Sequence, residues 1–146
     1  MTDENAVLIV DDSPDDAQVL LRAIKDAGIP NPVHVVTDGA QAISYFQGEG
    51  IYSDSKMYPP ARIVFLDLKM PVMDGFQVLD WLNNRTQLGS KLVIVLTGIH
   101  DLKEVDRAYK KGAHSFLVKP CNAVDIKNLV KAFPDRWGGS IPGSLN

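Results

Sequence analysis

Residues 64–75 read VFLDLKMPVMDG. An apolar run from Ile63 to Leu66 ends at Asp67, and Met70-Pro71 and Met73-Asp74-Gly75 form a turn-rich loop. Phe76, Val78, Leu79 and Leu82 then recur at helical spacing behind Asp74, which is placed to cap that helix. A short apolar run closed by a polar residue reads as a buried strand. The same arrangement recurs elsewhere. Val7-Leu8-Ile9-Val10 leads into Asp11 and Asp12, Leu92-Val93-Ile94-Val95-Leu96 into Thr97, and Phe116-Leu117-Val118 into Lys119-Pro120. With a further strand at about Val33 to Val36, strand-like and helix-like stretches alternate five times. That alternation predicts a parallel α/β sheet with helices on both faces. Parallel strands bring their C-terminal ends to one edge, where such folds bind ligands. Three carboxylates, a hydroxyl and an ammonium then meet in one crevice, suited to a divalent metal and a phosphoryl group.

The helix boundaries are marked by side-chain chemistry. Ser13, Pro14 and Asp16 form a start signal with capping-box spacing, followed by Ala17, Leu20, Leu21, Ile24 and Ala27 on one face and a stop at Gly28 and Pro30. Asp38-Gly39 turns into a helix carrying Ala42, Ile43 and Phe46. Asp101 is expected to precede a helix with Val105, Ala108 and Tyr109 that ends at Gly112, and Asn122 to cap a last helix running to about Phe133. The stretch from Gly48 to Pro60 is long for a connection and reads as a solvated insertion. A single domain is expected over residues 1–137, with a disordered tail over 138–146.

The 146 residues suffice for one hydrophobic core, and 45% apolar content fits a globular class. A net charge of −3 without blocks of like charge gives no reason to expect nucleic-acid binding. The lone Cys121 excludes an intramolecular disulfide and fits a reducing compartment. No apolar run approaches membrane-spanning length and no signal-peptide pattern opens the chain, so a cytoplasmic protein is expected.

A strand-end carboxylate such as Asp67 can attack phosphorus and form an acyl phosphate. The incoming group is anionic, so a metal is needed, and Asp11 and Asp12 beside Asp67 suit Mg²⁺. Lys119 offers a compact cation to a phosphoryl oxygen, Thr97 offers its hydroxyl, and Gly98 leaves room for the group to enter. Pro120 admits a cis peptide after Lys119. Lys69 can present its backbone carbonyl to the metal.

In this order, IVDDSPDD, VFLDLKMPVMDG, VLTG and FLVKP resemble the receiver domain of two-component response regulators over about Ala6 to Phe133. The resemblance implies a five-stranded doubly wound sheet of order 2-1-3-4-5. It implies Asp67 as phosphoacceptor and Asp11, Asp12, Asp67 and the Lys69 carbonyl as ligands of Mg²⁺ or Mn²⁺. Thr97 and Lys119 correspond to the pair that holds the phosphoryl group, and Phe116 to the aromatic that turns inward when Thr97 moves. The expected protein is a signalling receiver rather than an enzyme, one that promotes its own phosphorylation and dephosphorylation. It takes its phosphoryl group from a sensor histidine kinase and acts on a partner protein, with phosphorelay or phosphate-sink roles as alternatives and homodimerisation left open. Pro14-Asp15-Asp16-Ala17, His34 to Gly39, the long loop and Trp137 resemble receivers paired with phytochrome-type kinases. Lys69 and Ile99 depart from common receiver patterns, and both flank the route of the water that hydrolyses the acyl phosphate, so both are candidates for tuning its rate.

Other classes fit less well. A haloacid-dehalogenase-like phosphatase also uses Asp, Thr, Lys and Mg²⁺, but it places its nucleophile after the first strand and its paired acids last. A flavodoxin-like carrier must cradle a flavin phosphate in its first loop, where Asp11, Asp12, Asp15 and Asp16 would repel it. A pure interaction module has no use for the complete acid set.

Overall fold

A computed structural model of the chain describes residues 6–84 and 91–137. The expected tail, 138–146, lies outside the described residues. The strands are β1 (Ala6–Val10), β2 (Val33–Val36), β3 (Ala61–Asp67), β4 (Leu92–Thr97) and β5 (Ser115–Val118). The helices are α1 (Pro14–Asp26), α2 (Gly39–Gln47), α3 (Gly75–Asn83), α4 (Val105–Lys110) and α5 (Ala123–Ala132). All strands pair in parallel, in the order β2-β1-β3-β4-β5. The doubly wound sheet predicted from the apolar runs is therefore present.

Successive residues of a strand face opposite sides, and the central strands are buried on both. Val7, Ile9, Ile63, Phe65, Ile94 and Leu96 pack against α1 and α5. Leu8, Val10, Val64, Leu66, Val93 and Val95 pack on the other side with residues of α2, α3 and α4. The periodic residues of α1 do what their spacing requires: Ala17, Leu20, Ile24 and Ala27 are buried, with Leu21 packed beside them. Trp137 closes the same side at 7% exposure.

Four side chains cap helices as their positions predict. Ser13 Oγ, Asp38 Oδ1, Asp74 Oδ1 and Asn122 Oδ1 accept from the backbone N–H three residues on, at 2.7–3.2 Å. Asp74 and Asn122 complete reciprocal capping boxes with Gln77 and Asp125. The box expected at Ser13 is only half made. The Ser13 N–H donates to Asp11 Oδ1 at 3.0 Å, which leaves the Asp16 carboxylate free for another partner.

One expectation is refined and one corrected. Asp101 precedes α4 as expected, but it sits inside a 3-10 turn, Ile99–Glu104, with φ −115° and ψ 17°, and the α-helix begins only at Val105. Its carboxylate is engaged by Lys69 and cannot serve the helix. The 48–60 stretch is not simply solvated. It contains a 3-10 turn, Gly50–Ser53, and folds Tyr52 and Tyr58 onto Tyr45, with ring centroids 5.0–6.0 Å apart. Tyr45 donates its hydroxyl to the Pro59 carbonyl at 2.7 Å, and His34 of β2 lies 5.2 Å from the Tyr58 ring.

Candidate functional site

The chain passes from β1 to β2 on one side and returns to β3 on the other, so a crevice opens beyond the C-terminal ends of β1 and β3. Asp11 follows β1, and its N–H is tied to the Val36 carbonyl at 3.1 Å. Asp67 and Thr97 are the last residues of β3 and β4, and Lys119 follows β5 with its N–H on the Thr97 carbonyl at 2.8 Å. Asp67, Thr97, Lys119 and Lys69, with Asp12 from the loop after β1, frame a cleft of about 240 Å³. The four chemistry-bearing strand ends predicted to converge do converge.

One ammonium organises the acids. Lys119 Nζ lies 2.8 Å from Asp11 Oδ2, 3.2 Å from Asp67 Oδ2 and 3.1 Å from Asp16 Oδ2. Asp16 was legible only as a cap, and its place here follows from the diverted capping box. The Lys119–Pro120 bond is cis. Burial works against the Lys119 charge, but its hydrogen bond to Asp11 and the charges of Asp67 and Asp11 outweigh burial and raise its pKa.

Asp67 is 6% exposed, Asp11 1% and Thr97 3%, whereas Asp12 stands open to solvent. Burial drives the Asp67 carboxyl pKa upward. Lys119 opposes that, Asp11 adds to it, and the Lys69 N–H, donated to Asp67 Oδ1 at 3.2 Å, also opposes it. The net result is an unusually basic carboxylate. Carboxylate oxygens of Asp11, Asp12 and Asp67 lie within 4.8 Å of one another. Three hard oxygen donors, one of them open to water, fit a hard divalent cation that keeps part of its hydration shell.

Around this cluster, Gly75 packs against the backbone that carries Asp67. A Cβ there would meet the Asp67 carbonyl oxygen and come within 2.8 Å of Leu68 Cα. The Thr97 hydroxyl donates to the carbonyls of Gly98 and Asp101, each at 3.3 Å. Phe116 is partly buried and meets Tyr109 of α4 edge-on at 6.4 Å. Ile99 is 60% exposed. Lys69 reaches across the cleft to Asp101, Nζ to Oδ1 at 2.6 Å. Asp101 carried no signal in the sequence beyond a helix start.

The family model for the response regulator receiver domain matches residues 7–131. Response regulator Rcp1 of Synechocystis sp. (strain ATCC 27184 / PCC 6803 / Kazusa) is 28% identical over 141 residues, covering 94% of this chain and 94% of its own. Among solved structures, response regulator RPA3017 in red light signaling of R. palustris superposes with a TM-score of 0.78 at 30% identity, over 94% of this chain and 98% of its own. The Mn²⁺-bound form of Rcp1 gives 0.71 at 25% identity, over 95% and 99%. With its sheet order, its acid cluster and these likenesses, the chain belongs to the response regulator receiver domain family.

Proposed function

We propose that Asp67 is the phosphoacceptor of this receiver. The observation that carries the reading is the contact of its buried carboxylate with Lys119 Nζ, beside Asp11 and Asp12, at the floor of an open cleft. An Asp67 carboxylate oxygen attacks phosphorus of a kinase phosphohistidine, the P–N bond breaks, the imidazole leaves, and an acyl phosphate remains. Lys119 is already charged and within reach, so it neutralises a phosphoryl oxygen without reorganisation. Asp11, Asp12, Asp67 and the Lys69 carbonyl are the groups that would hold Mg²⁺ or Mn²⁺, which supplies positive charge to the transferred oxygens. Thr97 gives its hydroxyl to a phosphoryl oxygen once it leaves its carbonyl partners, and Phe116 follows inward, changing the α4–β5–α5 face offered to a partner protein.

The donor is a cytoplasmic sensor histidine kinase of phytochrome type. Support comes from the likeness to a regulator described in red light signaling and from the free Cys121. No described helix is long and apolar enough to cross a membrane.

Incubation with acetyl phosphate and Mg²⁺, read by intact mass spectrometry, tests the site. One phosphoryl group should be added to the wild type, only with metal, and none to Asp67→Asn. An equal adduct on the variant would reject Asp67.

A further inference from the structure

Asp101 lies outside the acid cluster yet touches both loops that frame it. Its carboxylate holds Lys69 Nζ at 2.6 Å, while its backbone carbonyl accepts the Thr97 hydroxyl at 3.3 Å. Lys69 in turn donates its N–H to Asp67 Oδ1. The contacts form a chain from Asp67 through Lys69 and Asp101 to Thr97. At Asp101 the backbone leaves helical values (φ −115°, ψ 17°), and its N–H is tied back to the Gly98 carbonyl at 2.9 Å. The segment after β4 is therefore fastened at Asp101 rather than by a helix cap. A hydroxyl engaged with the Asp101 carbonyl is not donating to a group on Asp67.

We propose, on the reading that Asp67 is the phosphoacceptor, that the Lys69–Asp101 ion pair is a latch on the resting state. It holds the Ile99–Glu104 turn, and with it the Thr97 hydroxyl, in the arrangement described above. Phosphorylation has to work against it. Asp101 is a positioning residue that acts through Thr97, and Lys69 acts through Asp101. The two side chains are 63% and 27% exposed, so water screens the pair. An ion pair of that kind biases a two-state equilibrium by about two- to five-fold.

The alternative is a plain field effect, in which Lys69 attracts the phosphoryl anion and Asp101 repels it. The two accounts differ in sign. A latch predicts that removing either partner favours the activated state, whereas a field effect predicts opposite changes. Affinity for the phosphoryl mimic beryllofluoride at saturating Mg²⁺, measured by ¹⁹F NMR, separates them. Lys69→Met and Asp101→Asn should each bind about two- to five-fold tighter than wild type, the double variant no tighter than either, and Lys69→Arg like wild type. Weaker binding by Lys69→Met with tighter binding by Asp101→Asn would overturn the latch, as would unchanged affinity in both. Absence of binding to the wild type is a different failure: it would strike Asp67 as phosphoacceptor and take the latch with it.

Discussion

Replacing Asp67 by Asn should make the metal-free protein more stable while abolishing its chemistry. Three carboxylates share one ammonium, and Lys119 keeps Asp11 and Asp16 when Asp67 is neutralised. Burial and the neighbouring Asp11 push the Asp67 pKa from 3.8 to about 7 against the pull of Lys119. At 1.36 kcal/mol per unit, the ionised carboxylate then costs at most about 4 kcal/mol at neutral pH. The attraction of Lys119 is already contained in that figure, so a net gain of up to about 4 kcal/mol is expected. The sign of the pH dependence follows from the raised native pKa. Between about pH 4 and pH 7 the native state binds more protons than the unfolded chain, so Asp67 favours folding at the acid end of that window. That contribution is lost as pH rises through about 7. Urea denaturation in EDTA should give a higher midpoint for Asp67→Asn at pH 7.5, with the gap closing toward pH 4.5. Mg²⁺ should also narrow the gap, because a ligand at a hundredfold its Kd adds about 2.7 kcal/mol only where it binds. An equal or lower midpoint for the variant at pH 7.5, or a gap that widens on acidification, would refute the reasoning.

Gly75→Ala should destabilise by about 1–3 kcal/mol, since crowding against the Asp67–Leu68 backbone outweighs the usual helix gain of under about 1 kcal/mol. A denaturant midpoint at or above wild type would contradict that packing. Lys91 is buried, lies over the Phe46 ring and bonds the Ala61 carbonyl. Burial, aided by the Arg62 charge, lowers its pKa to about 8. The native state thus binds fewer protons between about pH 8 and 10.5, and stability should rise with pH there. Lys91→Met should lose that slope, as melts at pH 8 and 9.5 would show. Ile99→Asn should speed hydrolysis of the acyl phosphate by about threefold or more, roughly 0.6 kcal/mol of barrier. An unchanged decay of the phosphorylated mass would remove Ile99 as an obstacle to water.

The strand ends were legible because parallel strands buried on both faces are written as unbroken apolar runs. Asp11, Asp67, Thr97 and Lys119 each stand directly after one, so topology alone brings them together. The side-chain partnerships were not legible. Asp16 meets Lys119 from 103 positions away, and Lys69 meets Asp101 from 32. Neither separation has a period to detect. Asp16 and Asp101 also sit where acids ordinarily cap helices, and that local explanation hid the distant one. The tyrosine cluster failed to show for a related reason. Tyr52 and Tyr58 lie in a stretch rich in Gly, Ser, Asp and Pro, whose composition signals loop while two rings decide its packing.

The sheet divides the interior into two layers, and each layer holds one tryptophan. Trp137 is packed with the residues of α1 and α5, whereas Trp81 stacks on Phe46 between α2 and α3, at 6.1 Å. Yet the layers share their walls, because alternate residues of β1, β3 and β4 belong to opposite sides. Stripping either layer of its helices would leave half of every central strand facing water while the other half still depended on it. Neither side can melt alone, so the two indoles should lose their fluorescence signatures in a single cooperative transition.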